Sequence, residues 1–390
     1  MKNKICILGS TGSIGITTLN IIKRDFKNFD VVLLSTNSNG LKLFKQAKQF
    51  NVKNVIITNN HEYLLWKDKF LKNKIKIYNN FRNFKKLFKS KLDYSINAIS
   101  GIDGLEPTLN IIKHTKKIAI ANKESIICGW NLIKKELNKY KTKFIPVDSE
   151  HFSIFKIIKN VKNDQINKII ITASGGPFLK KKIHRQITIK DALKHPNWQM
   201  GKKISIDSAT LMNKVFEVIE AKKISNITLD KIDIIINPNS YIHASVIFNN
   251  GTIQMLAHET KMEIPILNSI YDKFYFKYKT KNIDINKINN LNFTKPNIKK
   301  FKALKILKLV PNQDSLFETI LISTNDELVK MFLNREIKFS ELINYLTKII
   351  NFKIFKKYCK MKPSSVNQIL KTRDMAKNIV RLHIKKKLNV

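Results

Sequence analysis

Short apolar blocks alternate with longer stretches of helical spacing through the first third of the chain. The blocks KICIL at 4–8, VVLL at 31–34, NVIIT at 54–58, SINAIS at 95–100 and KIAIAN at 117–122 read as strands, and the segments between them are long enough for crossover helices. That alternation predicts a parallel sheet. KFIPVDSE at 143–150 adds a last strand leading into a helix over 151–160, which puts a domain boundary at about 148. Beyond it come KIIITAS at 168–174, a polar, lysine-rich loop and a helix from about Ser208 to Ala221. KIDIIINP at 231–238, HASVIFNN at 243–250 and TIQMLAH at 252–258 follow as strands, the last two joined by an Asn-Asn-Gly turn. This is an α+β domain over 149–275. Residues 276–300 read as a connecting segment, and apolar spacing of three and four over 301–310, 314–333, 339–349 and 364–386 predicts a helical domain over 301–390.

Composition changes this picture little. With 72 basic and 29 acidic side chains the net charge is +43, the kind of excess that suggests nucleic acid. The lysines are spread along the chain among many asparagines and isoleucines, as AT-rich coding would produce, so no specific nucleic-acid partner is expected. The three cysteines, Cys6, Cys128 and Cys359, have no CxxC spacing, which argues against a disulfide framework or zinc and fits a reducing cytoplasm. No apolar run approaches the roughly 20 residues of a membrane-spanning helix, so no membrane association is expected.

The candidate chemistry lies at the ends of the predicted strands. Gly9, Gly12 and Gly15 in LGSTGSIG follow a strand and precede a helix, where glycines allow a tight turn and the helix N-terminus faces a pyrophosphate. This makes the first domain Rossmann-like, a plain strand-to-helix turn being the alternative. After the second strand the chain reads STNSNG, without the acid that grips the ribose 2′-hydroxyl in NAD enzymes, which leans towards NADP, although an ordinary turn would look the same.

Asp148 and Glu150 stand two apart at the end of a predicted strand and so share a face, where they can share one ion. A helix N-cap followed by a first-turn glutamate is the plainer reading of that pair alone. In DSATLMNKVFE, Asp207 or Ser208 is expected to cap a helix presenting Asn213, Lys214 and Glu217. Lys214 and Glu217 share a face, offering a cation to phosphate and a carboxylate to metal, or alternatively a surface ion pair. Three carboxylates without a matching His or Cys set suit Mg²⁺ or Mn²⁺. The loop 175–201, with Gly175 and Gly176 at its start and His195, Trp198 and Met200 near its end, suits a lid over substrate. His243 could contact substrate, but taken alone a satisfied core histidine is the plainer reading.

Taken in order, GSTGSIG, GIDGLEPTL, ANKES at 121–125, VDSEH, ASGGPF, HPNW-M-G-KISIDSAT-MNK and STNDE at 323–327 resemble the 1-deoxy-D-xylulose 5-phosphate reductoisomerase family over the whole chain. The resemblance implies an NADPH- and divalent-metal-dependent oxidoreductase of the non-mevalonate isoprenoid pathway. Such an enzyme rearranges and reduces 1-deoxy-D-xylulose 5-phosphate to 2-C-methyl-D-erythritol 4-phosphate. It further implies that Thr11, Gly12, Ser13, Ile14, Asn37, Ser38, Asn39, Asn122, Glu124 and Gly201 line the NADPH site. Lys123, Ser149, Glu150, Ser174, His195, Ser208, Asn213, Lys214 and Glu217 would bind substrate, and Asp148, Glu150 and Glu217 the metal, with Lys123 and these three acids catalytic. A homodimer is implied as well. The chain departs from the family pattern at Asn37 and Ser38, where Gly-Lys is usual, at Thr260, Lys261, Met262 and Glu263 in place of PDMR, and at Asn237 in place of a histidine. Other readings are a semialdehyde dehydrogenase, for which Cys128 lacks an evident base, and a nucleic-acid binder that has lost catalysis.

Overall fold

The computed structural model describes residues 2–388 apart from 83, 182, 184, 185, 199 and 272–284. It divides into two compact units, one made of Met1–Ile126, Asn131–Phe152 and Met262–Tyr278, the other of Ile127–Trp130, Ser153–Lys261 and Lys279–Val390.

The first unit is a seven-stranded parallel sheet. Its strands are β1 (Asn3–Leu8), β2 (Phe29–Thr36), β3 (Asn54–Ile57), β4 (Lys76–Tyr78), β5 (Tyr94–Asn97), β6 (Lys117–Ile120) and β7 (Lys143–Pro146), in the order β4-β3-β2-β1-β5-β6-β7. Their runs of Ile, Val and Leu are buried on both faces, as parallel strands covered by helices must be. The order reverses between β1 and β5, and at such a reversal a doubly wound sheet opens a ligand crevice at its carboxyl edge. The N-terminal strands are those expected, with one addition: β4 is three residues long and lies in a lysine-rich stretch that gives it no apolar block. Residues 262–271 pack on this unit, with Ile266, Leu267 and Ile270 in its core, Lys117 Nζ donating to Ile270 O at 2.8 Å and the hydroxyls of Tyr94 and Ser269 bonded at 2.6 Å.

The second unit carries β8 (Ile166–Ala173), β9 (Ile232–Ile236), β10 (Ile242–Phe248) and β11 (Ile253–Ala257), ordered β11-β10-β8-β9. β10 and β11 are antiparallel and close through Asn249, Asn250 and Gly251; Gly251 has φ 84° and donates to Phe248 O at 3.0 Å. Ile169, Ile171, Val218, Ala221, Val246 and Phe248 meet in the core beneath this sheet. The C-terminal part is helical as expected, with helices Phe317–Leu333, Leu342–Ile350 and Val366–Leu388 preceded by a 3₁₀ stretch Lys302–Leu309. The expected connecting segment lies outside the described residues over 276–284; farther along, Thr294 bridges to Ile236.

Two local expectations need correction. The last strand stops at Pro146, not 150, and Asp148 accepts the first helical bond from Phe152 N at 2.8 Å. Asp148 and Glu150 therefore flank the start of helix Ser149–Ile157 and do not share a sheet face. The helix expected from Ser208 to Ala221 is in fact two, Lys202–Thr210 and Met212–Ser225, broken at Leu211, whose φ is 61°. Neither Asp207 nor Ser208 caps the second; both lie buried inside the first. Asp207 instead accepts from Asn325 Nδ2 at 2.7 Å and pairs with Lys203 at 3.4 Å.

Candidate active site

In the first unit, the loop from Gly9 to Ser13 leaves β1 at the crevice. Gly9 has φ 81°, and a Cβ on Gly15 would come within 2.5 Å of Gly9 O and Ser10 Cα, so only glycine lets the helix Ser13–Arg24 start this close to the strand. Gly12 is its N-cap and no side chain caps it, which leaves the helix start oriented for an anion. The loop is held from beneath. Ser35 Oγ accepts from Gly9 N at 2.9 Å, Thr11 and Thr36 hydroxyls bond at 2.7 Å, and Gln46 both accepts from Ser10 Oγ (2.8 Å) and donates to Ser10 O (2.9 Å). Ser35 and Gln46 escaped the sequence reading. The one available signal was a glutamine placed with Leu43 and Ala47 on the buried face of helix Gly40–Gln49.

Asn37, Ser38 and Asn39 lie exposed beyond β2, and Asn39 caps that helix by accepting from Lys42 N at 3.0 Å. At the carboxyl end of β6, Asn122 caps helix Lys123–Tyr140 and donates to Ile99 O and to Gly101 O (2.6 Å). This ties the segments after β5 and β6 together and buries Lys123 and Glu124 in the helix's first turn. Lys123 Nζ pairs with Asp148 Oδ2 at 2.8 Å, and His151 Nδ1 lies 3.8 Å from Asp148 Oδ1. Burial pushes the Asp148 carboxyl up, but Lys123 and then His151 outweigh it and hold the group well below the usual carboxylate range. Ser149 donates to Glu150.

In the second unit, Ser174 follows β8 and is succeeded by Gly175 and Gly176 at φ 84° and 64°. A Cβ on Gly176 would stand 2.8 Å from Ser208 O, so this glycine lets the loop rest on the end of helix Lys202–Thr210. His195 organises the region. Its Nδ1 accepts from the backbone N–H of Asn197 (3.1 Å) and Trp198 (2.9 Å), which assigns the proton to Nε2, 3.1 Å from Ser174 Oγ. Burial, and secondarily Lys214, pushes the His195 pKa down to about 4, consistent with a neutral ring. Ser174 Oγ therefore accepts from His195 and from Gly176 N (3.2 Å), leaving its own proton to donate to an anion. Lys214 pairs with Glu217, and Asn213 donates to the same carboxylate. Asn197 anchors the end of the loop on Pro238 O (2.7 Å) and Ser240 Oγ (2.8 Å), and Trp198 meets His243 edge-on.

His243 stacks on His258 at 3.8 Å. Asn237, in place of the family's histidine, is fully buried with no side-chain hydrogen-bond partner among the described residues. Gly201 caps helix Lys202–Thr210 and is exposed.

A doubly wound sheet with a glycine-rich first turn, buried charges at its carboxyl edge and a second unit rich in anion donors define a nucleotide-dependent oxidoreductase. The comparisons narrow the class. Residues 5–129 match the 1-deoxy-D-xylulose 5-phosphate reductoisomerase family, 144–225 the C-terminal domain of that reductoisomerase, and 258–379 the DXP reductoisomerase C-terminal domain. The reductoisomerase of Pelagibacter ubique is 58% identical over 95% of this chain and 97% of its own; that of Clostridium tetani is 38% identical over 95% and 96%. The enzyme of Zymomonas mobilis, solved with NADPH, superposes with a TM-score of 0.88 at 29% identity, covering 98% of this chain and 99% of that one. A DOX-P reductoisomerase solved with NADPH, fosmidomycin and magnesium gives 0.90 at 28% identity, covering 98% of each. The chain belongs to the 1-deoxy-D-xylulose 5-phosphate reductoisomerase family.

Proposed function

We propose that this chain converts 1-deoxy-D-xylulose 5-phosphate to 2-C-methyl-D-erythritol 4-phosphate with NADPH and a divalent cation, Mg²⁺ or Mn²⁺. The observation that carries the reading is the ion pair between buried Lys123 and half-buried Asp148 at the carboxyl edge of a nucleotide-binding sheet. NADPH fits the first unit. Thr11, Gly12, Ser13 and Ile14 form an uncapped helix start for its pyrophosphate, Asn37, Ser38, Asn39, Asn122 and Glu124 belong to the same unit, and the family resemblance adds Gly201 from the second unit.

For the metal, Asp148, Glu150 and Glu217 offer oxygen donors alone, which suits a hard cation, and Lys123 keeps Asp148 ionised. When bound, the cation supplies Lewis-acid polarisation to the hydroxy-ketone oxygens. Lys123 then positions oxygens that gain charge, with Ser149 and Glu150 beside the reacting end. Ser174, Ser208, Asn213 and Lys214 bind the phosphate, Ser174 through the proton that His195 leaves it. Holding this remote group orients the carbons that rearrange. The loop 175–201 serves as the lid, with Trp198 and Met200 near its end.

The working form is a homodimer in the cytoplasm. Ile253 and Met255, 54% and 49% exposed on edge strand β11, support the dimer, since apolar residues on an open edge invite pairing. Among the described residues no helix is long and apolar enough to cross a membrane.

The test is NADPH oxidation on addition of substrate, with and without Mn²⁺, together with Glu217→Gln. The variant is expected to keep its circular dichroism while losing Mn²⁺ binding by calorimetry and turnover. Full activity in Glu217→Gln would refute the metal assignment.

A further inference from the structure

The cofactor reading leaves open what the chain does with the ribose 2′-position, since the loop Asn37-Ser38-Asn39 carries no cation. The structure shows an acid there that comes from a neighbouring element. Glu62, in the first turn of helix Asn60–Lys72, accepts from Gly40 N at 3.2 Å through Oε2. Gly40 is the first residue of the helix that follows β2. This is the place where an NAD enzyme presents an acid to the ribose hydroxyl and an NADP enzyme receives the 2′-phosphate.

Three observations fix the carboxylate there. Asn59 caps the Glu62 helix by accepting from Glu62 N at 3.0 Å, and Asn59 N donates to Asn37 O at 3.1 Å, which joins the two loops. Trp66, four residues on and so on the same helix face, packs so closely on Gly40 that a Cβ there would overlap its ring. Two further donors of the helix start are engaged, Lys42 N by Asn39 Oδ1 at 3.0 Å and Leu43 N by Asn39 O at 3.1 Å. Among the described residues no lysine or arginine forms an ion pair with Glu62.

Resting on the NADPH reading, we propose that Glu62 is a specificity-determining residue that opposes a 2′-phosphate and so narrows the preference for NADPH over NADH. A 2′-phosphate seated at this helix start meets a negative carboxylate and competes with it for the Gly40 N–H. A 2′-hydroxyl meets an acceptor. The direction is opposite to that of a cation in the same loop.

Calorimetric binding of 2′,5′-ADP and of 5′-ADP to the whole protein tests this without turnover. Glu62→Gln keeps an acceptor for Gly40 N–H and removes the charge. It is expected to tighten 2′,5′-ADP by about three- to tenfold, with the gain shrinking at high salt, and to leave 5′-ADP within about twofold. Glu62→Ala should move 2′,5′-ADP in the same direction. An unchanged 2′,5′-ADP affinity, or an equal gain for both nucleotides, overturns the proposal. If the wild-type protein binds neither nucleotide, nor NADPH, the cofactor reading itself fails and the inference fails with it.

Discussion

Asn325 donates its side-chain N–H to Asp207 Oδ1 at 2.7 Å, joining two buried groups 118 residues apart in the chain. Asp207 lies in helix Lys202–Thr210, so this bond ties that helix to the C-terminal helix Phe317–Leu333. Asn325→Leu removes this donor from the Asp207 carboxylate, whose pair with Lys203 remains. A loss of about 1.5–3 kcal/mol is expected, as for one hydrogen bond to a buried charged acceptor. Urea unfolding would measure it, and an unchanged midpoint would show that the bond carries no weight.

Lys223 is buried and bridges Asp314 at 2.7 Å and Glu318 at 2.9 Å, Glu318 being fully buried. Burial lowers the Lys223 pKa, but Glu318 and Asp314 more than reverse this, so the ammonium stays charged. Lys223→Met strands Glu318 and is expected to cost about 3–5 kcal/mol. The double variant Lys223→Met with Glu318→Gln should regain a large part of that. Thermal melts of the two proteins decide, and equal melting temperatures would count against a coupled pair.

The His195 pKa lies below its ordinary 6.5, at about 4, because burial disfavours the charged ring. Between those values the unfolded chain binds the proton and the folded one does not, so stability rises with pH. The contribution is fully present above about pH 6.5 and lost as the pH falls towards 4. The full shift would correspond to about 3 kcal/mol, reduced to roughly 1–2 kcal/mol because the ring is partly exposed. Nitrogen chemical shifts should show a neutral ring protonated at Nε2 down to about pH 5; protonation near 6.5 would contradict the hydrogen bonds at Nδ1.

Gly15→Ala places a methyl against the backbone of Gly9 and Ser10. Helix and loop must separate, so NADPH affinity is expected to fall at least tenfold along with about 1–3 kcal/mol of stability. Fluorescence titration with NADPH reports the first effect, and unaltered binding would mean that the turn tolerates a Cβ.

The strands that build both sheets were legible because each is a dense apolar block, and the glycine turn because few local structures need three glycines at that spacing. β4 was not, since Lys76–Tyr78 offers one fully apolar side chain in three. The break at Leu211 runs against residue preference: a leucine at positive φ is a strained choice that tertiary packing imposes, and its side chain is buried. The position of Asp148 and Glu150 at a helix start is what the N-cap spacing of that pair signals, while a shared strand face needs the strand to run past Pro146, which it does not. The role of His195 as an acceptor of two backbone N–H groups leaves no trace in side-chain spacing. Glu62 was invisible for a similar reason, because it reaches the β2 loop from the next crossover.

The buried pairs centred on Lys123 and Lys223 differ from the rest of the basic chain in how they respond to ions. With 72 basic side chains against 29 acidic ones, most lysines must repel one another across the surface, and added salt weakens that repulsion within a Debye length of roughly 8 Å at physiological strength. The interior pairs are shielded from the same ions. Electrolyte therefore relieves the unfavourable part of the electrostatics while sparing the favourable part, and the fold should melt at higher temperature as sodium chloride is raised.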